Sequence, residues 1–448
     1  MRPRLTTVFA CQSCGAVSPK WLGRCPDCGE WNSFVEEAAR ERPASTAPAV
    51  PAVALTGTSG ASEARLPTGL PGFDRVLGGG LVPGAVVLLG GEPGIGKSTL
   101  LLQVGRGVAA AAGEVLYATG EESAGQVRLR GERLAIREPR LSIMPETEVG
   151  AIVGEAERRQ PALLIVDSIQ AVREPSLTSS AGTVSQVREA AGALQRYAKT
   201  RGTPVILIGH VTKDGSLAGP KSLEHLVDAV VAIEGDRGSS RRILRGTKNR
   251  FGSVDELALY EMTETGLREV ENASAALLSE RRTGLPGSSV TAAREGTRSL
   301  LVEVQALVGP SAAGSPRRVA IGLDAARLAL LLAVLEGSGL PLSAREVFAC
   351  CTGGLEVSEP AADLAIVAAL ASSARGKALP EAAVFFGEVG LLGEIRRVPS
   401  ASSRVKEAVA LGFSRIYLPS GNASDAAGFP DATVRPVDRV SDFLRELQ

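Results

Sequence analysis

The sequence predicts an α/β chain of several folded regions, and three observations carry that reading. From Leu66 to about Val270, short β-type runs alternate with helical patterns. A glycine-rich stretch, GGEPGIGKST, sits between one such run and the helical pattern that follows it. Two C-x2-C pairs lie close together near the N-terminus. Alternating strand and helix argues a mostly parallel sheet with helices on its faces.

At 448 residues the chain has room for two or three domains, each burying its own core. Its 44% hydrophobic and 22% charged residues are ordinary for a globular protein. Formal net charge is zero, so any nucleic-acid surface must come from local clustering of cations. No apolar run approaches the ~18–20 residues of a membrane span. The best, LALLLAVL from Leu328 to Leu335, reads as a short core element, and MRPRLTTVFA lacks a secretory apolar stretch. The expected location is the cytoplasm, with no membrane attachment, where paired cysteines point to metal rather than disulfide.

Residues 1–36 form the first region. CQSCGAVSPKWLGRCPDCGEW places Cys11, Cys14, Cys25 and Cys28 as two C-x2-C turns ten residues apart. Each turn aims two thiolates at one point, and two turns complete a tetrahedral Zn2+ site, closed and therefore structural. Gly15 and Gly29 follow the second cysteine of each pair, where a tight turn favours glycine. The alternative reading is a redox CxxC pair. Trp21 and Trp31 are expected to pack this small core. Residues 37–65, rich in Ala, Pro, Ser and Thr without apolar periodicity, read as a flexible linker.

Residues 66–271 carry the nucleotide chemistry. Expected strands are AVVLLG, EVLYAT, LLIVDS, PVILIGH, DAVVAIE and RRILRG. GGEPGIGKST gives Gly91, Glu92, Pro93, Gly94, Ile95, Gly96, Lys97, Ser98 and Thr99, a G-x4-G-K-S phosphate loop directly after a strand and before a helix. Successive backbone N–H groups wrap the phosphates of ATP, aided by the helix N-terminus. Lys97 is expected to reach the β/γ phosphates and Ser98 to ligate Mg2+. Asp167, ending the buried run LLIVDS, is expected to present its carboxylate to the Mg2+ shell; the plainer reading is a helix cap. Glu121 and, second, Glu122 are candidates for the general base that polarises the attacking water, since spacing alone does not separate them. His210 ends a further strand, where ligands gather in open α/β sheets, and is a candidate γ-phosphate sensor.

Residues 272–448 make a third region with its own strands (LLVEVQAL, AVFFGEVG, RIYLPS) and helices. The adjacent Cys350 and Cys351 are expected to be buried thiols.

In its order of parts, the chain resembles the RadA (Sms) family of bacterial DNA-repair proteins, among the RecA/DnaB-like P-loop ATPases. The resemblance rests on CQSCGAVSPKWLGRCPDCGEWNS, LPTGLPGFDRVLGGGLVPGAVVLLGGEPGIGKSTLLLQ, YATGEES, TKNRFG, EPAADLA and GEVGLLGEIRRVP. It implies a zinc finger, a RecA-like ATPase core and a Lon-protease-like α+β domain. It also implies a homohexameric ring that hydrolyses ATP, moves on single-stranded and branched DNA, and extends recombination intermediates with a RecA recombinase partner. Loops at about Arg173–Val187 and Thr212–Glu224, with Arg173, Lys213 and Lys221, would face the ring channel. An alternative is an ATP-driven hexameric switch without translocation.

The third region's resemblance to Lon comes without its chemistry. Ala361 stands where the serine nucleophile would be and Ser402 where the lysine base would be, with Lys406 a turn beyond, so no protease activity is expected. A ring scaffold is the expected role, with Arg317, Arg318, Arg396, Arg397, Arg404 and Lys406 as candidate DNA contacts. In RGTKNRFG, residues 245–252, the resemblance implies that Lys248 and Arg250 reach a neighbouring subunit's γ-phosphate, as arginine fingers do. A DNA-facing role for this stretch is the alternative.

Overall fold

The computed structural model describes residues 7–11, 15–38, 64–177, 179–210, 222–235, 240–254, 256–295, 298–311 and 316–447. Most of the expected linker therefore lies outside the described residues. The chain divides into two units, Met1–Glu269 and Val270–Gln448.

The first unit opens with a three-stranded antiparallel sheet of β1 (Thr7–Cys11), β2 (Val17–Ser18) and β3 (Phe34–Ala38). Its core is Cys11, Cys25 and Phe34, with Phe9, Ala16 and Leu22 packed against them. Neither tryptophan fills that core, contrary to expectation. Trp21 is 52% and Trp31 67% exposed. A core built around thiols has no room for an indole, and Trp31 instead lies under the Arg24 guanidinium, 5.8 Å from ring centroid to charge.

A nine-stranded sheet follows. Its strands are β4 (Val86–Gly91), β5 (Val115–Thr119), β6 (Leu141–Pro145), β7 (Leu163–Asp167), β8 (Val205–His210), β9 (Ala229–Glu234), β10 (Arg241–Asn249), β11 (Leu257–Thr263) and β12 (Gly266–Glu269). They lie in the order β12-β11-β10-β9-β4-β8-β7-β5-β6. Strands β4 to β9 are mutually parallel, and β10 to β12 extend the sheet antiparallel. Both faces of the parallel part are covered, so β4, β5 and β7 are buried along their whole length. Alternation sends Val87 and Leu89 into one core with Leu100, Leu101 and Val104, and Val86 and Leu88 into another with Val187, Ala190 and Leu194. The first of those helices is α2 (Lys97–Ala111); the second is α5 (Val184–Arg201), with α1 (Pro71–Val76), α3 (Ala124–Arg133), α4 (Val149–Arg159) and α6 (Ser222–Leu226) completing the unit.

Two boundaries differ from the sequence reading. Strand β10 runs through Thr247, Lys248 and Asn249 rather than ending at Gly246, and its register against β9 shifts between Gly246 and Lys248. The helical period of VSQVREAAGALQRYAKTRG is α5, which starts at Val184, so the loop after β7 ends at Thr183 rather than at about Val187.

The second unit contains a mixed sheet of β13 (Ser288–Glu295), β14 (Arg298–Pro310), β15 (Arg318–Ile321) and β16 (Arg345–Cys351), in the order β13-β14-β16-β15. A parallel sheet orders β17 (Ala383–Phe385), β20 (Arg415–Pro419) and β21 (Thr433–Val437), and β18 (Glu388–Val389) pairs with β19 (Ile395–Arg396). Helices α7 (Ala273–Leu278), α8 (Ala325–Gly337), α9 (Asp363–Arg375), α10 (Ala401–Ala410) and α11 (Val440–Glu446) pack around them. Cys351 is buried, which pushes its thiol up to about 12, while Cys350, on the opposite strand face, is half-buried.

Arg404 is not a surface cation. Its side chain is 0% exposed and is paired with Glu359 through two hydrogen bonds of 2.8 and 2.7 Å. It also donates to the carbonyls of Ala292 and Pro399. The cause is local: Arg404 sits on the inward face of α10 beside Val405 and Ala408, and a guanidinium there must find oxygens. Among the other expected DNA-facing cations, Arg317, Arg396 and Arg397 pair with Glu346, Glu394 and Asp425. Ala361 is buried and Ser402 exposed. Replacing Arg404 by Met strands the Glu359 carboxylate against a buried face. The expected outcome is loss of about 3 kcal/mol from the unfolding transition of the second unit, measured by urea titration.

Candidate nucleotide site and metal ribbon

The ribbon's cysteines converge as the spacing requires. The sulfurs of Cys11, Cys25 and Cys28 lie within 4.8 Å of one another, with Cys11 Sγ and Cys28 Sγ 3.7 Å apart. Tetrahedral bonds of ~2.3 Å to zinc put two sulfurs about 3.8 Å apart, so this donor set fits Zn2+. Cys14 lies outside the described residues. The two turns repeat each other: Gly15 N–H donates to Cys11 O and Gly29 N–H to Cys25 O, with φ +77° at both glycines. Zinc held by this set would stabilise the ribbon, which has little apolar core of its own.

The phosphate loop leaves β4 at Gly91 and enters α2 at Lys97. Gly96 has φ +118°, a left-handed conformation that requires glycine; a Cβ there would come 2.7 Å from Met262 Cε, the mobile end of a flexible side chain. A Cβ on Gly91 would meet Ile233 Cγ2 at 2.6 Å, so that glycine serves the β4–β9 packing. Lys97 is 5% exposed, and its ammonium donates to the carbonyls of Gly91 (2.8 Å) and Glu92 (2.9 Å). Burial lowers its pKa, partly offset by the nearby carboxylates of Asp167 and Glu121. An ammonium so placed needs oxygen acceptors, and the phosphates of ATP would supply stronger ones.

Around this loop lies a cavity of about 550 Å³ lined by Lys97, Ser98, Glu121, Glu122, Arg130 and Asp167, among others. Asp167 is 7% exposed and accepts hydrogen bonds from the hydroxyls of Tyr117 (2.5 Å) and Ser98. Its burial raises the carboxyl pKa, against those two hydrogen bonds. Ser98 and Asp167, already in contact, would hold Mg2+, which when bound would neutralise phosphate charge. The two glutamates, alike in sequence, differ in place. Glu122 is engaged by Arg130 through hydrogen bonds of 2.6 and 2.7 Å. Arg130 is brought there by α3, which starts at a capping box formed by Ser123 and Gln126. Glu121 accepts from Ser168 Oγ and is exposed at the cavity.

Strand β8 brings His210 into register with Gly91, at the start of the phosphate loop. Its side chain lies outside the described residues, as do Lys213 and Lys221. Arg173 is drawn aside by Glu148, at 2.5 Å, and the loop after β7 is tied by Gln186, which accepts from Glu174 N and donates to the Ser179 carbonyl. Gln186, Tyr117 and Arg130 were not singled out by the sequence reading. Tyr117 carried a usable signal: a lone tyrosine in a buried strand needs a partner for its hydroxyl.

Lys248 and Arg250 do not approach this cavity. Lys248 pairs in register with Val230 of β9, and Val230 with Leu88 of β4, three residues short of Gly91. With ~3.3 Å per residue and ~4.8 Å per strand, Lys248 lies roughly 14 Å from the start of the phosphate loop. Its ammonium donates to the carbonyls of Glu224 and Val227, and Arg250 pairs with Asp228 at 3.3 Å. Phe251 is held by Arg65, which donates to its carbonyl at 2.6 Å.

A sheet whose parallel strand ends carry a glycine-rich loop, a buried lysine and a strand-terminal aspartate defines a P-loop ATPase. Here it follows a metal-binding ribbon. Sequence families described as a rubredoxin metal binding domain and an AAA domain match residues 9–36 and 61–216. The chain is 49% identical to the DNA repair protein RadA of Bacillus subtilis (strain 168) over 446 residues, 98% of this chain and 97% of that one. It is 48% identical to the DNA repair protein RadA of Escherichia coli (strain K12) over 449 residues, 97% of each chain. The chain belongs to the RadA family of DNA repair proteins. Among solved structures, the RadB recombinase is similar at 23% identity, covering 46% of this chain and 100% of that one, with a TM-score of 0.38. Among the described residues, no helix is long and apolar enough to cross a membrane.

Two outcomes follow from these contacts. Tyr117→Phe removes the hydroxyl that orients Asp167 and is expected to raise the Mg2+ concentration needed for half-maximal nucleotide binding by roughly 10-fold. Fluorescent-nucleotide titration against Mg2+ measures it. The protein is expected to release a single zinc ion per chain to a thiol-reactive reagent, read with a chromophoric chelator, and Cys28→Ser to lower the zinc retained after dialysis.

Proposed function

We propose that this protein is a DNA-dependent ATPase motor of recombinational repair. It would act as a homohexamer on single-stranded and branched DNA and drive branch migration beside a RecA recombinase. ATP would be held by Gly91 to Thr99, Mg2+ by Ser98 and Asp167, and the attacking water by Glu121. Glu121 is favoured over Glu122 because Arg130 already occupies both oxygens of Glu122. His210 would sense the γ-phosphate from the strand next to the loop.

The observation that carries the reading is the place of Lys248 and Arg250. Lys248, near the end of β10 and roughly 14 Å from the chain's own phosphate loop, and Arg250, two residues further on, both lie away from the chain's own nucleotide site. A neighbouring subunit's γ-phosphate is the target that such cations fit. There the flexible lysine would offer a point charge and the planar arginine a two-pronged donor. This supports a ring in which each site is completed in trans.

Mixed rings test it. Lys97→Ala subunits lack their own phosphate cation and Lys248→Ala subunits lack the donated one. Co-assembled, they should regain part of the ATPase that each lacks alone. Absence of recovery despite verified co-assembly would count against action in trans. Single-stranded DNA is expected to raise the hydrolysis rate of the wild type, and a three-strand intermediate to be extended by wild type and not by Lys97→Ala. An ATPase indifferent to DNA and unable to move a branch would instead mark a regulatory switch.

A further inference from the structure

We propose that Asp228 and Lys199 form the dock from which Arg250 is released toward the neighbouring nucleotide, with Lys199 the resident counter-ion and Arg250 the exchangeable one. This rests on the trans-acting reading of Arg250 given above.

Asp228 is 2% exposed at the turn between α6 and β9, a carboxylate that must be neutralised where it stands. Its Oδ2 accepts from Lys199 Nζ at 2.7 Å and from the Val86 amide at 3.0 Å. Its Oδ1 accepts from Arg250 Nη1 at 3.3 Å. The main chain repeats the tie: Asp228 N–H donates to Val86 O (2.8 Å) and Arg250 N–H to Asp228 O (3.0 Å). Three sequence-distant segments thus meet on one residue: the first residue of β4, the last turn of α5 and the end of the KNR stretch.

The two cations are not equivalent. Lys199 makes the shorter contact, and its ammonium also stands 6.0 Å from the Phe251 ring centroid, which steadies it. Arg250 holds Asp228 by a single longer contact, although the two side chains are about equally exposed, 49% for Lys199 and 53% for Arg250. Lys199, Arg250 and Lys248 face the two carboxylates of Asp228 and Glu224, which leaves one positive charge in surplus. Arg250 can therefore exchange Asp228 for a phosphate without stranding a buried charge, because Lys199 stays. Its backbone hydrogen bond to Asp228 O fixes the root of the side chain while the guanidinium moves. Asp228 and Lys199 are positioning residues that act through Arg250.

Removing the resident counter-ion reverses the logic. In Lys199→Met, Arg250 is the cation still paired with Asp228, Lys248 being bound to the Glu224 and Val227 carbonyls, and Asp228 should hold it. The DNA-stimulated kcat of the full-length protein is expected to fall about 10-fold, with KM for ATP unchanged. Asp228→Asn, which keeps the shape and an acceptor for Val86 N–H, frees Arg250 again, so the double variant Lys199→Met/Asp228→Asn should recover kcat toward wild type. A purely structural role predicts that the second substitution adds to the damage. Lys199→Arg should retain activity, and Lys199→Gln serves if the methionine variant folds poorly, with thermal unfolding as the control. Wild-type kcat in Lys199→Met, or a double variant worse than either single one, overturns the proposal. If Arg250→Ala itself leaves hydrolysis unchanged, the trans-acting reading fails first, independently of the dock.

Discussion

A parallel sheet ends all its strands on one edge, and the first unit depends on that constraint. Because β4, β5, β7 and β8 run the same way side by side, the residues that leave their carboxyl ends meet without any long loop to bring them together. Gly91, Thr119, Asp167 and His210 are neighbours for this reason alone, though more than a hundred residues separate the first from the last. The same constraint explains why the antiparallel β10 cannot join them. Its polarity carries the KNR stretch back toward the amino ends of the parallel strands, where Asp228 and Val86 lie.

Buried charge is the second organising theme. Lys97, Asp167, Asp228 and Arg404 are each at most 7% exposed, and each has its oxygens or cations within hydrogen-bond reach. They are satisfied differently. Arg404 is closed on all sides by Glu359 and two carbonyls and makes a fixed strut in the second unit. Lys97 rests on the carbonyls of its own loop, acceptors that a phosphate can replace. Where a buried ion keeps a replaceable partner there is scope for change of state, and where it does not there is only stability.

How much of this could be read in advance follows from which interactions are local. The strands of the parallel core were legible because burial on both faces writes a continuous apolar run, as in VVLLGG and LLIVD. The phosphate loop was legible because its chemistry lies within ten consecutive residues. Strand β12, four residues long, exists only through its pairing with β11, and nothing in GLRE announces it. Arg404 looked like any surface cation because its partner Glu359 is forty-five residues away. Asp228 was passed over as the first letter of a strand, since its partners come from Val86, Lys199 and Arg250. The tryptophans misled for the opposite reason: an indole is usually core, but a unit this small fills its core with thiols and one phenylalanine.

The three glycines of the phosphate loop also set how this sequence can drift over generations. Two of them are closed to change: Gly91 for want of space beside the Ile233 side chain and carbonyl, and Gly96 by its backbone angle. Gly94 has φ +79°, so a side chain there is strained whatever the space around it. Asparagine, which enters the left-handed region more readily than other side chains, is the substitution that strains it least. Drift in this loop is therefore held by backbone angle at two glycines and by packing at the third, so the three letters of one motif answer to different pressures.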